Sequence, residues 1–141
     1  MGLATCVVVV LRYGFDTGAV ALQESVLYLH AIAFMLGIAY TLKLDEHVRV
    51  DVLYSRLSPV GRARVDLAGH CLFLVPAALT IGITSLPYVA ASWRILEGSA
   101  EVGGIPGLFV LKTLIPVMAF TLLLQGLAEI VRAVTRLSAD A

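Results

Sequence analysis

The sequence predicts an all-α membrane protein. It reads as a four-span helical bundle, with the first span incomplete in this chain and one amphipathic helix lying in the membrane interface. Three observations lead there. Of the 141 residues, 60% are hydrophobic and 14% charged, against about 25% charged in an ordinary soluble domain. A soluble domain this small has too much surface for its volume to hide so large an apolar share. The apolar residues are gathered in long runs, and the basic residues divide unevenly among the connections between them. The ten basic and ten acidic residues cancel, so no charge excess points to nucleic acid.

The first run, Gly2 to Leu11, makes roughly 15 Å of helix, about half the hydrocarbon thickness. No basic residue precedes it and no small-residue cleavage site follows, so it is a poor signal peptide. The expectation is that Met1 lies inside a span, that the natural chain begins upstream, and that Arg12 and Tyr13 mark the exit. The second run, Leu22 to Leu42, reaches the length of about 20 residues that a span needs. It carries Gln23, Glu24 and Ser25 at one end, His30 within, and Gly37 and several alanines as small surfaces for helix contact. The third, Leu67 to Ala91, contains Pro76 and Pro87, each of which removes a backbone hydrogen bond, so a bent helix is expected. The fourth, Leu108 to Val131, contains Lys112, Pro116, Gln125 and Glu129. All four form a single transmembrane domain over residues 1–141.

Seven basic residues fall on one side: Lys43, Arg49, Arg56, Arg62 and Arg64 between the second and third runs, Arg132 and Arg136 after the fourth. Arg12 and Arg94 fall on the other. The excess of Lys and Arg on cytoplasmic loops places the seven, and the carboxyl terminus, in the cytoplasm. Within the basic connection, Val50, Leu53, Tyr54 and Leu57 recur at i, i+3, i+4 and i+7. That spacing predicts an amphipathic helix over about 48–57, lying flat against the membrane. Ser58-Pro59 is read as its break, and Gly61 as helping the chain turn toward the third span.

The chemistry of an enzyme is missing. There is no HExxH, no glycine-rich phosphate loop and no GxSxG. Gly103-Gly104, before Ile105-Pro106-Gly107, reads as a turn. Cys6 and Cys71 read as buried structural thiols, and no catalytic, cofactor or metal site is assigned. Haem held by facing histidines is the competing reading, as in the membrane anchor of a redox enzyme. It is disfavoured because His30 and His70 differ in depth by roughly 13 Å on the helix rise, and His47 lies in the connection. Of the ionisable groups in spans, Glu24 is either hydrated or in contact with a partner helix. Lys112 is expected to snorkel outward, and Glu129 to pair with Arg132 at i+3. No carboxylate chain crosses the membrane, and a self-sufficient small exporter would need a charged residue central in a span, where only His30 stands.

The order of Gln23-Glu24, the Gly37-to-Lys43 helix end, and His47-Val48-Arg49-Val50-Asp51-Val52 closely resembles the small membrane subunit of TRAP (tripartite ATP-independent periplasmic) transporters. Leu57-Ser58-Pro59, Trp93 to Glu97, Lys112 through Pro116 and Gln125-Gly126-Leu127 continue the resemblance from about Arg12 to Arg132. The resemblance implies a bacterial inner-membrane protein that scaffolds a large permease subunit. That larger subunit would carry the substrate and sodium sites, and a periplasmic binding protein would deliver an organic acid to it. No cofactor is implied in this chain, and its partners would be those two proteins and membrane lipids. The candidate partner-interface residues are Glu24, Gly37, His47, Asp51, Leu53, Tyr54, Leu57, Lys112 and Gln125.

Overall fold

The computed structural model describes residues 2–14, 20–44, 54 and 56–139. Among them there are helices and connecting turns, with no strand. Helix α1 spans Gly2–Gly14 and α2 spans Val20–Lys43. Helix α3, Pro59–Gly69, runs through a π-helical turn, His70–Leu74, into α4, Val75–Arg94. The last helix, α5, spans Leu108–Ala139. Three helical stretches are long and apolar enough to cross a membrane: α2, the α3–α4 rod and α5. Helix α1 has 13 residues, about 20 Å of rise, and is shorter than a full crossing.

The third helix begins earlier than expected and carries a π turn ahead of its first proline within the span. Ser58-Pro59 starts a helix, and most of the segment it was expected to break lies outside the described residues. Ser58 sits in extended geometry and its hydroxyl oxygen accepts the Gly61 N–H at 3.2 Å, while Pro59 takes the first helical position. A serine cap followed by proline is a helix-start pair, because proline lacks an N–H only where none could be satisfied within the helix. Gly61 is therefore helical, and Arg62, Arg64 and Asp66 ride on a helix ahead of Leu67. The second feature is at Pro76, where the chain takes up a π turn. The Val75 N–H reaches back five residues to the His70 carbonyl. The wider turn accommodates the ring just ahead of the point where an α-helical bond would be lost. Pro87 and Pro116 lie inside α4 and α5 without ending either helix.

Helix α5 is the centre of the bundle, packing on α2, α3 and α4, while α1 packs on α2. Its contacts are made with small residues. On α4, Ala78, Ser85, Val89 and Ser92 are buried, and on α5 Ala119 and Ala133. The α4 positions recur at spacings of seven, four and three, one stripe of the helix. Small side chains let helix backbones approach closely where lipid tails offer no hydrophobic drive. A Cβ at Gly82 would stand 3.6 Å from that of Ala119.

Very little is buried. Of the apolar crossing stretches of α2, the α3–α4 rod and α5, only 6%, 6% and 11% is enclosed by the chain. Cys6 and Cys71, expected to be buried, are both exposed. A bundle this thin has no interior large enough to hold them, so they face whatever surrounds the helices.

Candidate functional site

The hydrogen bonds between described side chains collect at the two ends of the bundle, while Thr80, Thr84, Ser85 and Thr121 bond to the backbone of their own helices. At the hairpin end, the loop 95–107 between α4 and α5 folds back over the start of α2. The Glu24 carboxylate is the pin. One oxygen accepts the Ser99 hydroxyl in a short hydrogen bond, and the other accepts the Ile105 N–H at 2.6 Å. A carboxylate receiving two donors fixes the loop by charge-assisted bonds, which are stronger than neutral ones. The loop is shaped to reach it. Gly103 takes a positive φ of 82°, open to glycine at little cost. At Gly104 a Cβ would lie 2.5 Å from Ser99 Cβ and 2.8 Å from Glu24 Oε1, so only glycine lets the loop close on the carboxylate. Leu96 also has a positive φ of 46°, an uncommon conformation for a side chain of that size.

A second tether lies beside the first. Lys112 Nζ donates to Glu97 Oε2 at 2.5 Å, and the Ser92 hydroxyl donates to the same oxygen at 2.6 Å. The ammonium also stands 4.3 Å from the centre of the Tyr88 ring, a cation–π contact. Lys112 thus reaches to the hairpin loop, where Glu97 is its partner. The bond from Lys112, and after it that from Ser92, holds the Glu97 carboxyl below the usual carboxylate range. Trp93 completes the end of the hairpin. Its indole N–H donates to Thr113 Oγ1 at 2.9 Å and its ring meets Phe109 edge-on at 4.7 Å. The Tyr28 hydroxyl, buried near Gly107, has no hydrogen-bond partner among the described residues.

The other end is basic. Tyr54 donates its hydroxyl to Asp66 Oδ2 at 2.7 Å, with the Arg62 guanidinium 5.4 Å from its ring. Leu57 offers its carbonyl to Arg62 Nε at 3.2 Å. Gln125 and Arg132 both donate to Glu129 Oε1, at 2.7 and 2.5 Å, so the i+3 pair expected for Glu129 is present. His70 Nδ1 carries a proton, because its partner at 2.5 Å is the Asp66 carbonyl, which can only accept.

Of the sequence-predicted interface residues, Glu24 and Lys112 both lie at the hairpin end, each with its own partners, while Tyr54, Leu57 and Gln125 lie toward the basic end. Gly37 sits on an open face of α2, with nothing within 4 Å of where a Cβ would be. His47, Asp51 and Leu53, and most of the expected helix over 48–57, lie outside the described residues. His30 stacks on Phe34 and lines a groove with Arg12 and Glu24, whereas His70 is at the basic end, so the two imidazoles are not brought together on one haem. Among the described residues no group of His, Cys, Asp or Glu could hold a metal ion. Sequence reasoning missed Ser92, Glu97 and Ser99 as partners. Opposite charges at Glu97 and Lys112, flanking a glycine-rich hairpin, were the available signal.

A thin helical bundle that ties its polar groups to each other and leaves its apolar faces open is a polytopic membrane component. Over residues 1–136 the chain matches the family model "Tripartite ATP-independent periplasmic transporters, DctQ component", and it belongs to that family. It is also 34% identical over 73 residues to a Haemophilus influenzae protein named "Putative TRAP transporter small permease protein". That alignment covers 52% of this chain and 45% of the relative, so the chain spans less than half of the relative's length. No solved structure matches the chain.

Proposed function

We propose that this chain is the static small permease subunit of a TRAP-type secondary transporter. It scaffolds a large permease subunit that takes up an organic acid with sodium, the acid being delivered by a periplasmic binding protein. The chain sits in the bacterial inner membrane, with the basic end and the carboxyl terminus in the cytoplasm, as the seven-to-two division of basic residues favours. The observation that carries the reading is the openness of the crossing helices, at most 11% enclosed by the chain itself. Contiguous exposed apolar faces on a membrane component suit lipid and a larger helical partner.

The internal tethers support a scaffold over a transport site. A substrate carboxylate needs a cation that is free to bind it, and Lys112 is already held by Glu97. Sodium needs several oxygens converging within about 2.5 Å. Glu24 and Glu129 stand at opposite ends of the bundle, each occupied by donors of this chain. Co-expression with a large TRAP permease subunit from the same source tests the reading. The two should co-purify in mild detergent, and a large permease that purifies stable and transports at full rate without this chain would refute it.

A further inference from the structure

Between the ends of α2, α3 and α5 lies a cavity of about 230 Å³. Neither the scaffold reading nor the family membership gives it a role. Its cations come from two elements: Lys43 from α2, and Arg132 and Arg136 from α5. Its two carboxylates are already occupied. Glu129 accepts from Arg132 and Gln125, and Asp66 accepts from Tyr54. Lys43 and Arg136 are left without an ion pair or hydrogen bond among the described residues. Each stands in the last turn of its helix, where the helix dipole favours a cation. That accounts for a cation on each helix, but not for both lining one cavity.

The depth of the cavity identifies the kind of anion. Counting the helix rise from the hairpin end, Lys43 is about 35 Å from Val20, His70 about 36 Å from Arg94, and Arg132 about 36 Å from Leu108. Three independent helices agree. With the helix ends at the hairpin taken as the opposite boundary of a hydrocarbon core about 30 Å thick, the cavity falls at the level of the phospholipid phosphates. Basic pockets between membrane helices at that level take anionic headgroups. We propose that this cavity is a binding site for the phosphodiester of an anionic phospholipid, held by Lys43 and Arg136. Arg132 is neutralised by Glu129 and stays with that partner. The proposal rests on the geometry of the basic end and not on the scaffold reading.

Native mass spectrometry of the full chain tests it, with phosphatidylglycerol and phosphatidylcholine as probes. The wild-type chain should retain phosphatidylglycerol in preference to phosphatidylcholine. Lys43→Gln combined with Arg136→Gln should weaken that retention at least tenfold. Lys43→Arg with Arg136→Lys should preserve it, and Arg94→Gln at the other end should leave it unchanged. Should the double variant not fold, each single glutamine variant should still show a loss of threefold or more. Equal retention of both lipids, or no change in the glutamine variants, would overturn the proposal. Displacement of phosphatidylglycerol by millimolar inorganic phosphate would show a free-phosphate site and overturn the lipid assignment. So would loss of the lipid when the large permease is bound, because the partner would then be the occupant.

Discussion

Replacing Ala119 with leucine adds three carbons at a position that is 2% exposed and already in contact range of α4. A Cβ built at Gly82 stands 3.6 Å from the Ala119 methyl, so the seam there has room for one methyl but not for a leucine side chain. Overpacking of a close seam costs about 1–3 kcal/mol. Beside the seam, an apolar groove of about 220 Å³ also borders Ala78, Pro116 and Phe120. It can take part of the added volume, which places Ala119→Leu nearer the lower half, about 1–2 kcal/mol. That corresponds to roughly a five- to thirty-fold loss in the folded-to-unfolded ratio. Gly82→Ala is the control. Its new methyl makes an ordinary contact, and alanine gains up to about 1 kcal/mol of helix propensity over glycine. The chain has one tryptophan, Trp93. It bridges α4 to α5 through Thr113 and Phe109, so its fluorescence reports separation of these helices during thermal unfolding in detergent. Ala119→Leu should melt several degrees lower, with Gly82→Ala at or above the wild type. Identical melting of all three would refute close packing of α4 on α5.

Other consequences can be checked together. Gly104→Ala should push the loop off the Glu24 carboxylate, and Glu24→Ala should remove the pin. Both should raise amide exchange across 95–107 by tenfold or more, while Gly37→Ala, on an open face, should leave it unchanged. The Glu97 tether has a definite pH window. Its folded-state carboxyl is held below the usual value of about 4.3, mainly by Lys112. Its contribution is therefore complete above that value and is lost as the pH falls through the lowered one. Trp93 fluorescence should stay constant from neutral pH to about pH 4.5 and change only in stronger acid, and Glu97→Gln should abolish that change. A transition near neutral pH would contradict the assignment. For orientation, a cysteine at Val102, in a background without Cys6 and Cys71, should react with a membrane-impermeant maleimide in intact cells. One at Ser138 should react only after permeabilisation, and the reverse pattern would invert the topology.

The helices were legible because hydropathy and length decide a membrane span. Leu22 to Leu42 lies within Val20–Lys43, and the run from Leu108 opens α5 at the same residue. The helical extension ahead of Leu67 was hidden by its polarity. Arg62, Arg64 and Asp66 look like loop to a hydropathy count, while Ser58-Pro59 carried a helix-start signal in addition to the break that was read there. Lys112 shows the other limit. Its position one turn into a span gives depth alone, and depth favours snorkelling. The partner comes from Glu97, 15 residues earlier, which a hairpin turning through Gly103 and Gly104 returns to the same end. Glu24 is further still, reached across 75 and 81 residues of sequence by Ser99 and Ile105. Periodicity within one helix says nothing of such partners. The small-residue seam was partly readable, because alanine and glycine are visible in each span. Which of them face α5 depends on helix rotation, and the tertiary packing sets that.

The central claim is that this subunit supports transport without forming any part of the substrate or sodium site. The most direct test is to measure sodium and substrate affinities of the purified large permease, in lipid nanodiscs, with and without this chain. Both affinities should agree within about twofold, while sodium-driven uptake in vesicles should require the pair. A tenfold weakening of either affinity in the absence of this chain, with the large permease still folded, would make this subunit part of the site.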